Sequence, residues 1–165
     1  MRRSLRSCRE SSSNRLKLLL DPTYLLPILG VEVEGAGKVL GILKKLREQG
    51  KAEYYYTPFS LLEILGKLSK ISYDKERVAR GLVSIEESFR IACPTADGYL
   101  KALELKAKGF KDLIDLLLYT TALTRKLLLI SRDSQLIVFL EEHDEDTSCI
   151  VYEEEFLKRY SDNEL

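Results

Sequence analysis

The chain has 165 residues, enough for one domain that buries most of its apolar surface without disulfide or metal staples. Lys plus Arg number 26 and Asp plus Glu number 26, so a net charge of +0 speaks against any general pull toward nucleic acid or membrane surfaces. The 3 cysteines, Cys8, Cys93 and Cys149, are widely separated with no CxxC spacing, which speaks against a disulfide framework and against a zinc site. No apolar run approaches the ~18 residues of a membrane span. Ser11, Ser12, Ser13 and Asn14 follow the basic N-terminus where a signal peptide needs its apolar stretch, so a cytoplasmic protein is expected.

Residues 1–15 hold Arg2, Arg3, Arg6 and Arg9 among serines without periodicity, and they read as a disordered basic tail. Residues 16–160 read as a single domain, and 161–165 as a C-terminal tail. The first strand is the apolar run from Leu16 to Leu20, which ends at Asp21. Pro22 suits the first turn of a helix capped by Asp21, spanning 23–29 and stopped by Gly30. A second helix carries Val39, Ile42, Leu43 and Leu46 at i, i+3, i+4 and i+7, and Gly50 stops it. Tyr54, Tyr55 and Tyr56 predict a strand. Thr57-Pro58 opens a helix striped by Leu61, Ile64, Leu65 and Leu68, and another helix covers 74–88.

A third short strand is predicted at 89–93, closed by Pro94, with Thr95 capping a helix to about 108. Asp112 starts a helix that runs to about 125. A fourth strand covers 127–130, a helix follows over 133–140, residues 141–148 form an acidic loop, and a fifth strand and a last amphipathic helix complete the chain. Short apolar strands alternating with amphipathic helices predict an α/β fold. The expected form is a three-layer α/β/α sandwich around a central, mostly parallel sheet of four to five strands. Ligands of such sheets bind beyond the C-terminal ends of the strands, so the chemistry is sought there.

Asp21, Glu63, Asp115 and Asp133 all fall near that edge. Each has a local explanation when taken alone. Asp21 and Asp133 suit helix starts, and Glu63 pairs with Lys67 four residues on. Asp115 stands in Leu113-Ile114-Asp115-Leu116-Leu117-Leu118, among residues that want burial, and Asp112 is either its helix cap or a further acid of the site. Together the acids can point into one crevice. Two carboxylates ~4 Å apart repel by about 4 kcal/mol at an effective dielectric of ~20, which implies a bound cation or a raised pKa. Oxygen ligands without His or Cys select Mg²⁺ or Mn²⁺ over zinc.

These segments resemble the motifs of the PIN-domain family. Asp21-Pro22-Thr23-Tyr24-Leu25-Leu26 is similar to its opening motif, and Ser60-Leu61-Leu62-Glu63 to its Ser-x-x-Glu helix. Asp115-Leu116-Leu117-Leu118-Tyr119-Thr120-Thr121-Ala122 and Leu129-Ile130-Ser131-Arg132-Asp133 are similar to its Asp-helix and its Thr-x-Asp. The order matches over about residues 18–151. Pro22 stands where the family usually has Thr or Ser, which leaves Thr23 to supply the hydroxyl, and Ser131 replaces the commoner Thr.

The resemblance implies a metal-dependent ribonuclease, an endonuclease that hydrolyses RNA phosphodiesters with Mg²⁺ or Mn²⁺. It implies Asp21, Asp115, Asp133 and Glu63 as catalytic metal-holding residues, with Thr23, Ser131 and Asp112 in support; an acidic pocket needs flanking cations for RNA phosphates, and Arg132 beside Asp133 and Lys67 one turn from Glu63 are the candidates. The resemblance further implies a VapC-like toxin with a small antitoxin partner and a homodimer; the apolar residues 24–29 and the helix pair at 38–70 are, from their own composition, the expected dimer face. A catalytically quiet binding module of an RNA-processing assembly is the alternative. A phospho-receiver domain is set aside, because Pro22 follows Asp21 and Cys93-Pro94 stands where the phosphate-accepting Asp belongs. His143, the only histidine, lies in an acidic run that reads as a flexible loop rather than a second metal site.

Overall fold

The computed structural model describes residues 15–161; the predicted basic tail, apart from Arg15, and residues 162–165 lie outside the described residues. The chain forms β1 (Leu16–Leu20), α1 (Pro22–Leu25), a 3-10 turn (Leu26–Leu29), α2 (Gly37–Glu48), β2 (Ala52–Tyr56), α3 (Pro58–Leu68) and α4 (Lys75–Ser88). It continues through β3 (Arg90–Ile91), α5 (Ala96–Ala107), α6 (Leu113–Arg125), β4 (Leu128–Ser131), α7 (Ser134–Glu142), β5 (Ile150–Tyr152) and α8 (Glu153–Ser161).

The sheet has 5 strands in the order β3-β2-β1-β4-β5, and every pairing is parallel. β1 is central, and its Leu18, Leu19 and Leu20 are essentially fully buried because helices cover both faces. Leu18 and Leu20 face the larger core with Tyr54, Tyr56, Ile130 and Phe156. Leu19 faces the other side with Leu118 and Ala122 of α6 and Leu129 of β4. The order turns back between β1 and β4, which opens a crevice at their C-terminal ends. Asp21 follows one of these strands and Asp133 the other. No helix among the described residues is long and apolar enough to cross a membrane.

Three sequence expectations are corrected. The helix expected over 23–29 is one α-turn followed by a 3-10 turn, because Pro27 lacks the N–H that an α-helix needs there. The strand expected at 89–93 is a two-residue edge strand whose Ile91 is 61% exposed, since it pairs on one side only. The face expected over residues 24–29 is mostly closed: Tyr24, Leu25, Leu26 and Leu29 are buried, and only Pro27 and Ile28 are half-buried. Helix α4 covers this turn so closely that a Cβ at Gly81 would lie 2.5 Å from the Ile28 carbonyl oxygen.

Candidate active site

Each acid of the crevice is set in place by a local device. Asp21 leaves β1 with extended backbone and caps α1, its Oδ1 accepting the Thr23 amide at 2.8 Å. Burial pushes its carboxyl up, the Thr23 hydrogen bonds pull it down, and the charge of Glu63 raises it further. Glu63 rides on α3, whose cap is a fully buried hydroxyl pair: Thr57 Oγ1 accepts the Ser60 amide at 3.0 Å and lies 2.9 Å from Ser60 Oγ. Lys67 Nζ stands 2.5 Å from Glu63 Oε1, so this ammonium adds a positive charge among the acids.

Asp112 caps α6, its Oδ1 accepting the amides of Ile114 at 2.8 Å and Asp115 at 3.4 Å. It thereby acts as the helix cap. Asp133 caps α7 through the amides of Gln135 at 2.8 Å and Leu136 at 3.3 Å. Ser131, almost fully buried, accepts the Asp133 amide at 3.0 Å and fixes the turn.

The electrostatics of Asp115 tie these groups together. Its carboxyl is pushed up to about 7, first by burial and then by the charges of Asp112, Asp21, Asp133 and Glu63. All the acids singled out in the sequence are therefore within electrostatic reach of one carboxyl, although they come from four separate elements. They do not form a closed cage: no three Asp, Glu, His or Cys side chains among the described residues are grouped tightly enough to hold a metal ion. The donor chemistry itself, oxygen only and proton-hungry at Asp115, suits a hard divalent cation.

Two expected roles meet a different environment. Arg132 is already engaged: its Nε lies 2.7 Å and its Nη2 3.1 Å from the carboxylate of Glu153, and its Nη1 donates to the Glu34 carbonyl at 2.9 Å. His143 stands at the C-cap of α7, where the acidic loop begins. Its Nδ1 is 2.8 Å from the Phe139 carbonyl, and its ring packs on Phe139 at 4.2 Å. Glu145 of the same loop is held by Lys101 at 2.7 Å and Lys108 at 3.4 Å, which keeps its carboxyl below its usual range against the opposing cost of burial.

Sequence reasoning missed two features. One is the contact of Glu153 with Tyr24 and Arg132, for which a tyrosine inside an apolar run was the only signal. The other is a cavity of about 430 Å³ beside the acids, lined by Phe110, Lys111, Asp112, Asp115, Asp133, Gln135 and Phe139 among others. No spacing along the chain announced it.

A five-stranded parallel sheet with carboxylates around its switch point defines a class of α/β proteins that bind at the C-terminal strand edge. The PIN domain model matches residues 18–139, and the chain belongs to the PIN domain family. Solved structures share the fold. VapBC2 from Rickettsia felis, bound to a DNA fragment from their promoter, aligns with a TM-score of 0.57 at 15% identity, covering 84% of this chain and 98% of that one. A toxin–antitoxin complex from Klebsiella pneumoniae aligns at 0.55 with 16% identity, covering 81% and 95%. PAE2754 from Pyrobaculum aerophilum aligns at 0.54 with 18% identity, covering 90% and 91%. At these identities the likeness concerns the fold alone. No curated protein matches the chain in sequence.

Proposed function

We propose that this protein is a metal-dependent endoribonuclease and acts as the toxin of a toxin–antitoxin pair. The observation that carries the reading is the Asp115 carboxyl, raised by burial and by four neighbouring acids at the switch point of a PIN domain. Asp21, Asp115, Asp133 and Glu63 would hold Mg²⁺ or Mn²⁺. Such an ion, when bound, lowers the pKa of water and stabilises charge on a phosphodiester.

The remaining roles belong to the chain itself. The helix-cap amides at Asp21 and Asp133 are all taken by Oδ1 of each carboxylate. Ser131 and Thr23 hold those two acids in orientation. The partly buried Asp115, raised to about 7, gives up its proton more readily when a cation takes the proton's place. Lys67 balances part of the negative charge that would otherwise repel the RNA backbone. The antitoxin reading is carried over from the toxin–antitoxin complexes that share the fold.

A catalytically quiet PIN module is the second reading, favoured by the lack of a tight three-ligand group among the described residues. The two readings separate with labelled RNA incubated in Mn²⁺ or EDTA beside Asp21→Asn, Asp115→Asn and Asp133→Asn. Asparagine preserves the caps at positions 21 and 133 and removes the charge at all three. Cleavage in Mn²⁺ that each substitution cuts by about a hundredfold or more supports the ribonuclease, since losing several kcal/mol of charge stabilisation has that effect. Unchanged cleavage in all three variants rejects the site, and no cleavage by the wild type favours the quiet module.

A further inference from the structure

We infer that the cavity beside Asp115 and Asp133 is a nucleobase pocket that receives one unstacked base of single-stranded RNA next to the scissile phosphate. This rests on the ribonuclease reading and assigns its base-recognition residues. The cavity is about 430 Å³, the size of a small-molecule site. Its apolar wall is the ring pair Phe110–Phe139, with centroids 4.9 Å apart and both rings partly exposed.

The wall is fixed from both sides. Lys106 Nζ donates to the carbonyls of Phe110 at 3.0 Å and Lys111 at 2.5 Å, which pins the loop before α6. His143 packs behind Phe139 at 4.2 Å and lies 2.8 Å from its carbonyl. Lys111 and Gln135 line the same cavity, and their side chains have no hydrogen-bond or ion-pair partner among the described residues.

The chemistry selects a base rather than an anion. Asp112, Asp115 and Asp133 border the cavity and repel a bare phosphate, whereas a neutral base meets no such penalty. Aromatic faces stack any base, so they bind an unpaired strand and not a duplex. The Gln135 amide offers a donor and an acceptor together, which matches the edge of a base such as adenine. Lys111, the one cation among these lining residues, meets the phosphate that follows the base.

A short single-stranded RNA carrying 2-aminopurine at successive positions tests this, bound in Ca²⁺ in place of Mn²⁺ so that binding is read without turnover. Stacking quenches the fluorophore. Quenching is expected at one position, lost in Phe110→Leu and Phe139→Leu, with binding weakened roughly tenfold. Gln135→Ala is expected to flatten the base preference at that position, and Lys111→Ala to weaken every RNA alike. These two residues are exposed, so their variants decide the matter even if a phenylalanine variant melts early. RNA that binds with no position quenched, or with affinity and base preference unmoved by Lys111→Ala and Gln135→Ala, overturns the pocket and leaves the ribonuclease standing. RNA that neither binds nor is cut in Mn²⁺ overturns both.

Discussion

The buried hydroxyl of Tyr24 donates a 2.5 Å hydrogen bond to Oε2 of Glu153, 129 residues further along the chain. The same carboxylate takes the Arg132 guanidinium through both oxygens. Tyr24 lies three residues after Asp21 and Arg132 immediately before Asp133. The first residue of α8 therefore ties together the two loops that carry the acids of β1 and β4.

Removing that carboxylate strands two donors at once. Glu153→Ala is expected to cost about 2–4 kcal/mol, since a broken ion pair in a partly buried site leaves an uncompensated charge. Tyr24→Phe removes one hydrogen bond and is expected to cost about 1 kcal/mol. In the Glu153→Ala background Tyr24→Phe should cost almost nothing. Urea unfolding of the two single variants and the double variant checks this, and fully additive losses would reject the network.

Asp115 sets a pH dependence whose sign follows from its raised carboxyl. It titrates at about 7 in the fold and near ~3.9 unfolded, so the folded state binds the proton more tightly between those values. Its contribution is favourable at acid pH and is lost as pH rises through about 7. Asp115→Asn, which carries no charge, is therefore expected to melt higher than the wild type at pH ~8, with the gap closing toward pH ~4. Mn²⁺ should raise the wild-type melting temperature at pH ~8, less at pH ~5 where protons compete, and barely in the variant. Thermal melts across pH with and without Mn²⁺ read all three effects.

Helix α4 is seated by the missing side chain of Gly81. A Cβ there would lie 2.5 Å from the Ile28 carbonyl oxygen and 2.7 Å from Leu29 Cδ2, so the 3-10 turn behind Asp21 would have to shift. Gly81→Ala is expected to destabilise the fold by about 1–3 kcal/mol, against the usual gain of alanine inside a helix. Gly66→Ala on α3, where a Cβ would meet nothing within 4 Å, is the matched control and should be neutral or stabilising. Chemical denaturation of the pair checks the contrast.

The order of the elements, the parallel α/β class, the caps at Asp21 and Thr95 and the helix starts at Thr57 and Asp112 were legible in the sequence. Each of these depends on neighbours within a few residues: an apolar run, a helical stripe, or a side-chain oxygen two or three positions before the amide it accepts. The acids were legible for the same reason, because strand ends and helix starts mark the edge where they lie. Their shared environment arises from long-range packing. The crevice exists because β4 returns beside β1 and the order of strands turns back there. Asp115 is raised by acids up to 94 residues away in the chain, and the partners of Arg132 and the walls of the Phe110–Phe139 cavity are likewise remote in sequence. Long-range packing chooses such neighbours, and no local periodicity encodes them.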